Sequence, residues 1–331
     1  MTTLIDPFSR KINYLRISVT DHCNYRCFYC RDEFHNNRTT RSKVLSLEEI
    51  ARIARLFSEL GVSKVRLTGG EPLIRKNILS LVEMLGKIPN INDIPLSTNA
   101  HLLKQHAQEL QHLGVNRVNI SIDSLQEKRF SDITRGGDLS KVIKGIDAAI
   151  MAGMHPIKLN MVVMQDTNAD EIEAMLDFAI DREIDIRFIE TMPIGTSGIE
   201  ASRQHISQAD ILARVEAHLK QDLQKIQLHD TDGPAHNYQI INSKSRVGVI
   251  SAVSDNFCTT CNRVRLTAKG QLILCLGQEN SVSLRDAIRA HKTDDEIKQI
   301  IINAIGKKPE KHEFNTNINN IELRQMVEIG G

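Results

Sequence analysis

The chain has 331 residues, a length that suits one large domain with a smaller second one better than a single ordinary core. With 41% hydrophobic and 25% charged residues it has the composition of a soluble globular protein, and a net charge of +1 provides no global field for nucleic acid or membrane. No apolar run is long enough to span a bilayer, and residues 1–10 lack the apolar segment of a signal peptide. We therefore expect a cytoplasmic protein with no nucleic-acid or membrane partner.

Apolar runs that suit strands alternate with helical patterns over the first part of the chain. The predicted strands are Ile12–Thr20, Lys64–Thr68, Ile94–Thr98, Arg117–Ile122, Ile157–Met164 and Ile186–Thr191. The predicted helices are Leu47–Leu60, Ile78–Lys87, Leu102–Leu113, Leu139–Ala152, Ala169–Arg182 and Gln208–Leu219. Consecutive βα units imply a parallel sheet, and six are too few for the eight-unit barrel. We predict an α/β fold with an incomplete (βα)6 barrel.

The pattern changes near residue 196, which predicts a barrel domain over residues 1–195 and a smaller C-terminal α+β domain over residues 196–331. The elements predicted there are a turn-rich linker at 231–237, antiparallel strands at Arg246–Val253 and Arg263–Leu276 with a turn at Lys269-Gly270, and helices at Leu284–Ala290 and Asp294–Ala304. The polar stretch 306–320 is expected to be loosely ordered.

Three cysteines, Cys23, Cys27 and Cys30, follow the first predicted strand and are called here the first cysteine group. Parallel α/β sheets bind ligands beyond the carboxyl ends of their strands. Because cytosolic thiols stay reduced, such a group indicates metal ligation rather than disulfides. Iron–sulfur clusters usually take four thiolates, so three would leave one iron open to a small ligand. A zinc site completed by His22 or His35 is the alternative.

A second cysteine group, Cys258, Cys261 and Cys275, has the same number of thiols. The turn at Lys269-Gly270 would return Cys275 to the other two, which suits a second cluster with an open iron; a zinc knuckle is the alternative. A strand through this region places Arg263 and Arg265 on one face, beside the cysteines. Arginine suits bidentate contact with phosphate oxygens.

Residues 21–30, DHCNYRCFYC, resemble the signature loop of the radical S-adenosylmethionine (SAM) superfamily. The resemblance implies a [4Fe–4S] cluster on the first cysteine group, whose open iron binds SAM, and reductive cleavage of SAM to a 5′-deoxyadenosyl radical. The Gly69-Gly70-Glu71-Pro72 turn fits the same superfamily, since glycine allows close backbone approach to a ligand. The SAM contacts that the resemblance implies are Tyr29, Gly70, Ser121 and Met192.

Further motifs resemble one family over nearly the whole chain, the GTP 3′,8-cyclases of molybdenum cofactor biosynthesis (protein A). These motifs are TGGEPL at 68–73, NISIDSL at 119–125, Met192-Pro193, the CxxCNRxR block from Cys258 and the terminal Gly330-Gly331. The resemblance implies a lyase that converts GTP to (8S)-3′,8-cyclo-7,8-dihydroguanosine 5′-triphosphate, the first step of that pathway. The deoxyadenosyl radical removes the ribose H3′, and the carbon radical attacks guanine C8.

The same resemblance assigns roles in GTP binding. The implied GTP contacts are Arg16, Arg66, Thr98, Lys158, Arg263, Val264 and Arg265. A second [4Fe–4S] cluster on the second cysteine group would bind the guanine. Gly330 and Gly331 are implied to enter the substrate cavity near the arginines and to support activity. The implied partners are an electron donor and the cyclic pyranopterin monophosphate synthase that uses the product; a homodimer stays open.

The chain departs from the family pattern in two places. Arg31-Asp32 follows the third cysteine where Met-Pro is usual, and Thr191 precedes Met192 where a bulkier residue is common. Two other functions stay open: a radical SAM enzyme that modifies a peptide with the help of an auxiliary cluster, and a two-site zinc protein that binds RNA or a protein partner.

Overall fold

A computed structural model describes residues 3–32, 39–226, 233–278, 280–314 and 325–330. The strands within these ranges are β1 (Tyr14–Ser18), β2 (Lys64–Thr68), β3 (Leu96–Thr98), β4 (Val118–Ser121), β5 (Ile157–Val162), β6 (Asp185–Ile189), β7 (Gln224–Ile226), β8 (His236–Gln239), β9 (Arg246–Ile250), β10 (Arg263–Leu266), β11 (Gln271–Ile273) and β12 (Ser281–Ser283).

The α-helices of the same ranges are α1 (Leu47–Glu59), α2 (Ile78–Gly86), α3 (Leu103–His112), α4 (Glu127–Thr134), α5 (Leu139–Met151), α6 (Ile172–Asp181), α7 (Gly195–Ala201), α8 (Gln208–Leu219), α9 (Leu284–Arg289), α10 (Asp294–Ile305) and α11 (Met326–Ile329). Among them, no helix has the length and apolar character needed to cross a membrane.

All the strands of the described residues belong to one mixed sheet, in the order β12-β11-β10-β1-β2-β3-β4-β5-β6-β9-β8-β7. Strands β1 to β6 are parallel neighbours in chain order, as the βα alternation predicts. The order has two ends, so the barrel is open. The predicted fold class, an incomplete α/β barrel with further C-terminal elements, is confirmed.

The two faces of the barrel strands differ because successive side chains of a strand point to opposite sides. In β2, Val65 and Leu67 belong to the main hydrophobic core, whereas Arg66 and Thr68 line the cavity described below. The helices carry matching apolar faces. In α1, Ser46 and Glu49 form a capping box, and Ile50 and its helical neighbours are buried. The alternation thus sends polar side chains into the barrel and apolar ones under the helices.

The C-terminal strands differ from the sequence prediction. Strands β9 and β10 are antiparallel to β8 and β11, but each also pairs in parallel with a barrel strand, β9 with β6 and β10 with β1. The linker predicted at 231–237 was wrong at its end, because His236 and Asn237 begin β8. Strands from both sides of residue 195 therefore share one sheet, and the division into domains 1–195 and 196–331 stays a prediction.

The stretch 306–320 was expected to be loosely ordered, and this is wrong for the part that the structure describes. Lys308 and Phe314 are buried, and the Lys308 ammonium donates to the Leu274 carbonyl at 2.6 Å. Residues 315–320 lie outside the described ranges. A buried lysine is absent from any local hydrophobic pattern, which explains the missed segment.

Candidate active site

A cavity of ≈ 320 Å³, called here the central cavity, lies at the carboxyl ends of the barrel strands. The last residues of five strands line it: Thr68, Thr98, Ser121, Val162 and Ile189. All six cysteines of the chain line it as well, and each is a free thiol. The structure thus brings the two cysteine groups, which lie more than two hundred residues apart in sequence, to one cavity.

The loop that carries the first cysteine group is held against the Gly-Gly turn after β2. Gly70 N–H donates to the Thr20 carbonyl and Glu71 N–H to the His22 carbonyl, each at 2.8 Å. A Cβ at Gly70 would lie 2.1 Å from the His22 oxygen. The glycine is therefore required by the cysteine loop itself, since a side chain would displace that backbone. Close backbone approach to a ligand was the only role predicted for this glycine from the sequence.

The cysteines of the first group are half-buried, and loss of solvent around their thiols raises the pKa of Cys23 to about 11 and of Cys30 to about 12. Backbone amides point at the sulfur atoms: Tyr25 N–H donates to Cys23 at 3.4 Å, and Val327 N–H donates to Cys30. Buried thiols become thiolates only beside positive charge, and the iron atoms of a cluster supply that charge. The donor set therefore fits an iron–sulfur cluster.

Among the described residues, no three His, Cys, Asp or Glu side chains have the spacing for one metal ion. A four-iron cluster takes each thiolate on a different iron, so its ligands need not converge on a single point. Of the two histidines proposed as zinc ligands, His22 lies beside the Asp21 carboxylate at 3.6 Å. His35 lies outside the described residues.

Two buried carboxylates fix the loops around this group. Glu71 accepts hydrogen bonds from Leu73 N–H, the Thr98 hydroxyl and Asn99 N–H, which joins the ends of β2 and β3. Asp123 accepts from the Tyr29 hydroxyl at 2.7 Å and joins the cysteine loop to β4 and β5. Burial raises the pKa of Glu71 to about 7 and of Asp123 to about 6. Both residues follow predicted strands, but these hydrogen-bonding roles were not predicted.

The second cysteine group is held by two buried cations. Arg10 donates from one guanidinium nitrogen to the Cys258 carbonyl at 2.7 Å and to the Glu310 carbonyl at 2.6 Å, and it also pairs with Asp6. Lys308 reaches the carbonyl of Leu274, the residue before Cys275. Burial opposes ionisation of Cys261, but Lys308 and Arg263 outweigh it and lower its pKa. This positive setting favours a thiolate and fits a metal centre.

Positively charged side chains lie in two rows across the inner face of the sheet. The register sets Arg16 of β1 between Arg265 of β10 and Arg66 of β2. Two residues earlier on each strand, and therefore on the same face, Tyr14 lies between Arg263 and Lys64. The like charges perturb one another. Burial and then the two neighbouring arginines, Arg16 and Arg263, hold the pKa of Arg265 well below its usual range. Such a concentration of buried positive charge is costly unless an anion binds to it.

The pKa of Tyr14 is affected by the same group of positive charges. Burial alone would raise the pKa of its phenol, but the charges of Arg66, Arg16, Lys64 and Arg263 lower it to about 7. The Arg66 guanidinium donates to the Tyr14 oxygen at 2.5 Å. Tyr14 and Lys64 were not predicted as site residues, although their positions on the inner face follow from strand alternation with Arg16 and Arg66.

The residues predicted as SAM and GTP contacts fall into two sets. Those that line the central cavity are Tyr29, Gly70, Ser121, Met192, Arg16, Arg66, Thr98, Arg263, Val264 and Arg265. Lys158 does not; it lines a small neighbouring cavity whose walls include Lys64 and Arg117, and which shares Arg66, Asn119 and Arg187 with the central one.

Gly330 lies beside the row of cations that contains Arg16 and Arg265. Its carbonyl accepts hydrogen bonds from Arg265 at 2.9 Å and from Arg16 at 3.1 Å. This is the contact expected of the tail, whereas its effect on activity stays a prediction. Gly331 lies outside the described residues.

In the described part of the chain, the side chains of the central cavity with a buried polar atom that lacks a hydrogen-bond partner include Asn160 (Oδ1), Thr191 (Oγ1) and Arg263 (Nε). Buried polar atoms are normally paired, so each of these indicates a group that a ligand would satisfy. The cavity therefore fits a large polar ligand.

Two family models cover most of the chain. The radical SAM superfamily model matches residues 17–179, and the molybdenum cofactor synthesis C model matches residues 184–314. Among solved structures, Streptococcus suis SuiB bound to S-adenosylmethionine matches with a TM-score of 0.64 at 16% identity, over 88% of this chain and 68% of that chain. A likeness at this identity supports the fold alone.

Curated relatives extend over the full length. A GTP 3′,8-cyclase of Hydrogenovibrio crunogenus is 54% identical over 99% of both chains. A GTP 3′,8-cyclase of Saccharophagus degradans is 46% identical over 100% of this chain and 99% of its own. With both cysteine groups on one cavity and this similarity along the whole length, the chain belongs to the GTP 3′,8-cyclase family of radical SAM enzymes.

Proposed function

We propose that this protein converts GTP to (8S)-3′,8-cyclo-7,8-dihydroguanosine 5′-triphosphate, the first step of molybdenum cofactor biosynthesis. The observation that carries the proposal is the meeting of both cysteine groups and the two cation rows at one cavity. When bound to the first cysteine group, a [4Fe–4S] cluster with SAM supplies the 5′-deoxyadenosyl radical that removes the ribose H3′ of GTP. The protein itself binds, orients and shields these groups.

The first cysteine group and its surrounding loops hold SAM. The Gly69-Gly70 turn lies against the cysteine loop, and Ser121 and Met192 face the same cavity. Tyr29 is oriented by its hydrogen bond to Asp123. Because Asp123 is buried and also accepts from Val162 N–H, the loop has little freedom to turn away. These contacts support SAM binding at Tyr29, Gly70, Ser121 and Met192.

The cation rows hold the triphosphate. Arg16, Arg66 and Arg265 lie at one level of the sheet, and burial followed by the charges of neighbouring arginines lowers the pKa of Arg16 and of Arg265. A triphosphate supplies several negative charges and many acceptor oxygens, which suit guanidinium groups. The small cavity beside Arg66 extends this surface to Lys158 and to Lys64. Lys158 would then meet the phosphate end of the nucleotide, deepest in the barrel.

The second cysteine group would hold a second [4Fe–4S] cluster, which would supply a binding position for the guanine. Support comes from three free thiols at the cavity and from the positive setting of Cys261. Arg263 and Val264 lie on β10, between Cys261 and Cys275 in the chain, and also line the cavity. The guanine would therefore lie beside Val264 while the triphosphate reaches the rows of cations, which sets C3′ towards the SAM side.

Two partners follow from the chemistry. The reaction consumes electrons, so an electron donor has to deliver them, and the product serves as the substrate of a cyclic pyranopterin monophosphate synthase. We expect both to act in the cytoplasm. A homodimer is compatible with this function.

Anaerobic protein incubated with SAM, dithionite and GTP deuterated at C3′ tests the function. We expect deuterium in the 5′-deoxyadenosine and a cyclised nucleotide that mass spectrometry and NMR identify. Alanine replacement of the second cysteine group is the matched control, which should cleave SAM without forming this product. Formation of 5′-deoxyadenosine without deuterium from GTP would contradict the proposal. The peptide-modifying and zinc alternatives predict no nucleotide product at all.

A further inference from the structure

Asp32, two residues beyond the last thiol of the first cysteine group, is bound from several directions. Its carboxylate accepts hydrogen bonds from the Thr196 hydroxyl at 2.6 Å and the Ser197 hydroxyl at 2.5 Å, both at the start of α7. It also accepts from the Gln325 side-chain amide at 2.5 Å. One carboxylate therefore joins the cysteine loop, α7 and the C-terminal segment.

The contact with Gln325 runs in both directions. While the Gln325 amide nitrogen donates to the Asp32 carboxylate, the Gln325 amide oxygen accepts from Asp32 N–H at 3.1 Å. Both partners use complementary groups, so the pair specifies one orientation of the glutamine. Gln325 is 4% exposed and also caps α11 through Glu328. A chain with proline at position 32, as the family pattern has it, would offer neither the carboxylate nor the N–H.

From this contact the segment 325–330 runs across the cavity. Met326 and Val327 line the cavity, and Val327 N–H donates to the Cys30 sulfur. Glu328 pairs with Lys269 at 3.1 Å on the partly exposed side. The segment ends with the Gly330 carbonyl on Arg16 and Arg265. The tail is thus attached at its start to the cysteine loop and at its end to the cation row.

We propose that Asp32 is a positioning residue that docks the C-terminal segment through Gln325. The cysteine loop and the tail then become ordered together, and the Gly330 carbonyl is delivered to the two arginines. Its consequence for catalysis rests on the proposed function, whereas the docking itself does not. A protein with the tail undocked would keep both cysteine groups but leave the central cavity open to solvent.

The test uses the replacement Q325E. It sets a new carboxylate against that of Asp32 while keeping size and shape, so a charge-assisted hydrogen bond becomes a repulsive pair. In the double variant D32N/Q325E, the new amide at position 32 donates to the new carboxylate, and its oxygen still accepts from the Thr196 and Ser197 hydroxyls. The matched control is E328Q, which removes the Lys269 ion pair of the same segment but can still cap α11.

Amide hydrogen exchange of residues 326–330 in the anaerobic, cluster-loaded protein is the readout. We expect exchange in Q325E to be about tenfold faster or more, the change produced by losing roughly one charge-assisted hydrogen bond. The double variant should return to within about threefold of the unaltered protein, and E328Q should stay within about twofold, as exposed ion pairs contribute little. Unchanged exchange in Q325E, or a double variant as fast as Q325E, would overturn the proposal.

A second readout separates this proposal from the function. With SAM, GTP and reductant, Q325E should release more 5′-deoxyadenosine per cyclised nucleotide than the unaltered protein, and the double variant should restore the ratio. A ratio that is equal in all three would contradict the positioning role. If even the unaltered protein formed no cyclised nucleotide, the proposed function would fail, yet the exchange rates would still decide whether Asp32 docks the tail.

Discussion

Replacing Arg10 with methionine should both destabilise the protein and release the second metal centre. Arg10 is buried, pairs with Asp6 at 2.5 Å, and donates to the carbonyls of Cys258, Glu310 and Pro309 at 2.6–2.7 Å. Methionine fills a similar volume, but it removes the guanidinium donor from three carbonyls and leaves the buried Asp6 carboxylate with the backbone N–H groups of Phe8 and residue 10 in place of a charged partner. Removing one member of a buried charge pair costs about 3–5 kcal/mol of unfolding free energy.

Urea unfolding of the anaerobic protein measures the first effect, and iron content measures the second. In a background with the first cysteine group changed to alanine, the remaining iron reports the second group alone, and R10M should lose most of it. The control is R55M: Arg55 is 40% exposed at its side chain and pairs with Glu59 and Asp294, so its loss should cost no more than about 1 kcal/mol. An R10M protein with an unchanged midpoint, or with its iron retained, would refute the reasoning.

Four further predictions concern the site. Alanine in place of the first cysteine group should reduce iron from about eight to about four atoms per chain and abolish SAM cleavage; full iron retention would contradict the ligand assignment. Alanine in place of the second group should preserve SAM cleavage but remove cyclisation, and surviving cyclisation would make that group structural only. Of the four tyrosines, three have a raised pKa, so a pH titration of phenolate absorbance in metal-free protein should find one group near pH 7 that is lost in Y14F. Because folding lowers this pKa, the phenolate stabilises the folded state at alkaline pH, and that stabilisation is lost as the pH falls through about 7. Deleting Gly330 and Gly331 should preserve both metal centres and SAM binding but remove most cyclase activity, and a peptide of the last dozen or so residues should restore part of it; unchanged turnover would show that the tail is dispensable.

Local sequence patterns predicted the barrel because each βα unit carries its own signals. Strand Lys64–Thr68 and helix Gln208–Leu219 have the predicted bounds, and the capping residue Ser46 set the start of α1 correctly. Such signals depend on neighbours a few residues apart, namely side-chain alternation, helical spacing and caps. The same alternation predicted Arg263 and Arg265 on one face of their strand, and both line the central cavity.

Contacts between distant parts of the chain could not be predicted in this way. Strand periodicity indicates which face of a strand is buried, but it does not identify the neighbouring strand. The parallel pairing of β10 with β1 and of β9 with β6 was therefore missed. Arg10 and Lys308 were missed for the same reason. Each lies in a polar stretch, and the carbonyls that satisfy it come from other parts of the fold.

The sheet order has a consequence for synthesis on the ribosome. One edge of β1 pairs with β10, whose residues Arg263–Leu266 leave the ribosome long after the barrel strands. In the same way, one edge of β6 pairs with β9, which is synthesised after the barrel. A nascent chain that ends near residue 195 would present two uncovered parallel strands, and exposed edges invite pairing with other chains. The barrel therefore depends on late-emerging residues to protect its earliest strand. Expression of residues 1–195 alone should yield aggregates, and chaperones that hold the nascent chain should matter until residue 266 has left the exit tunnel.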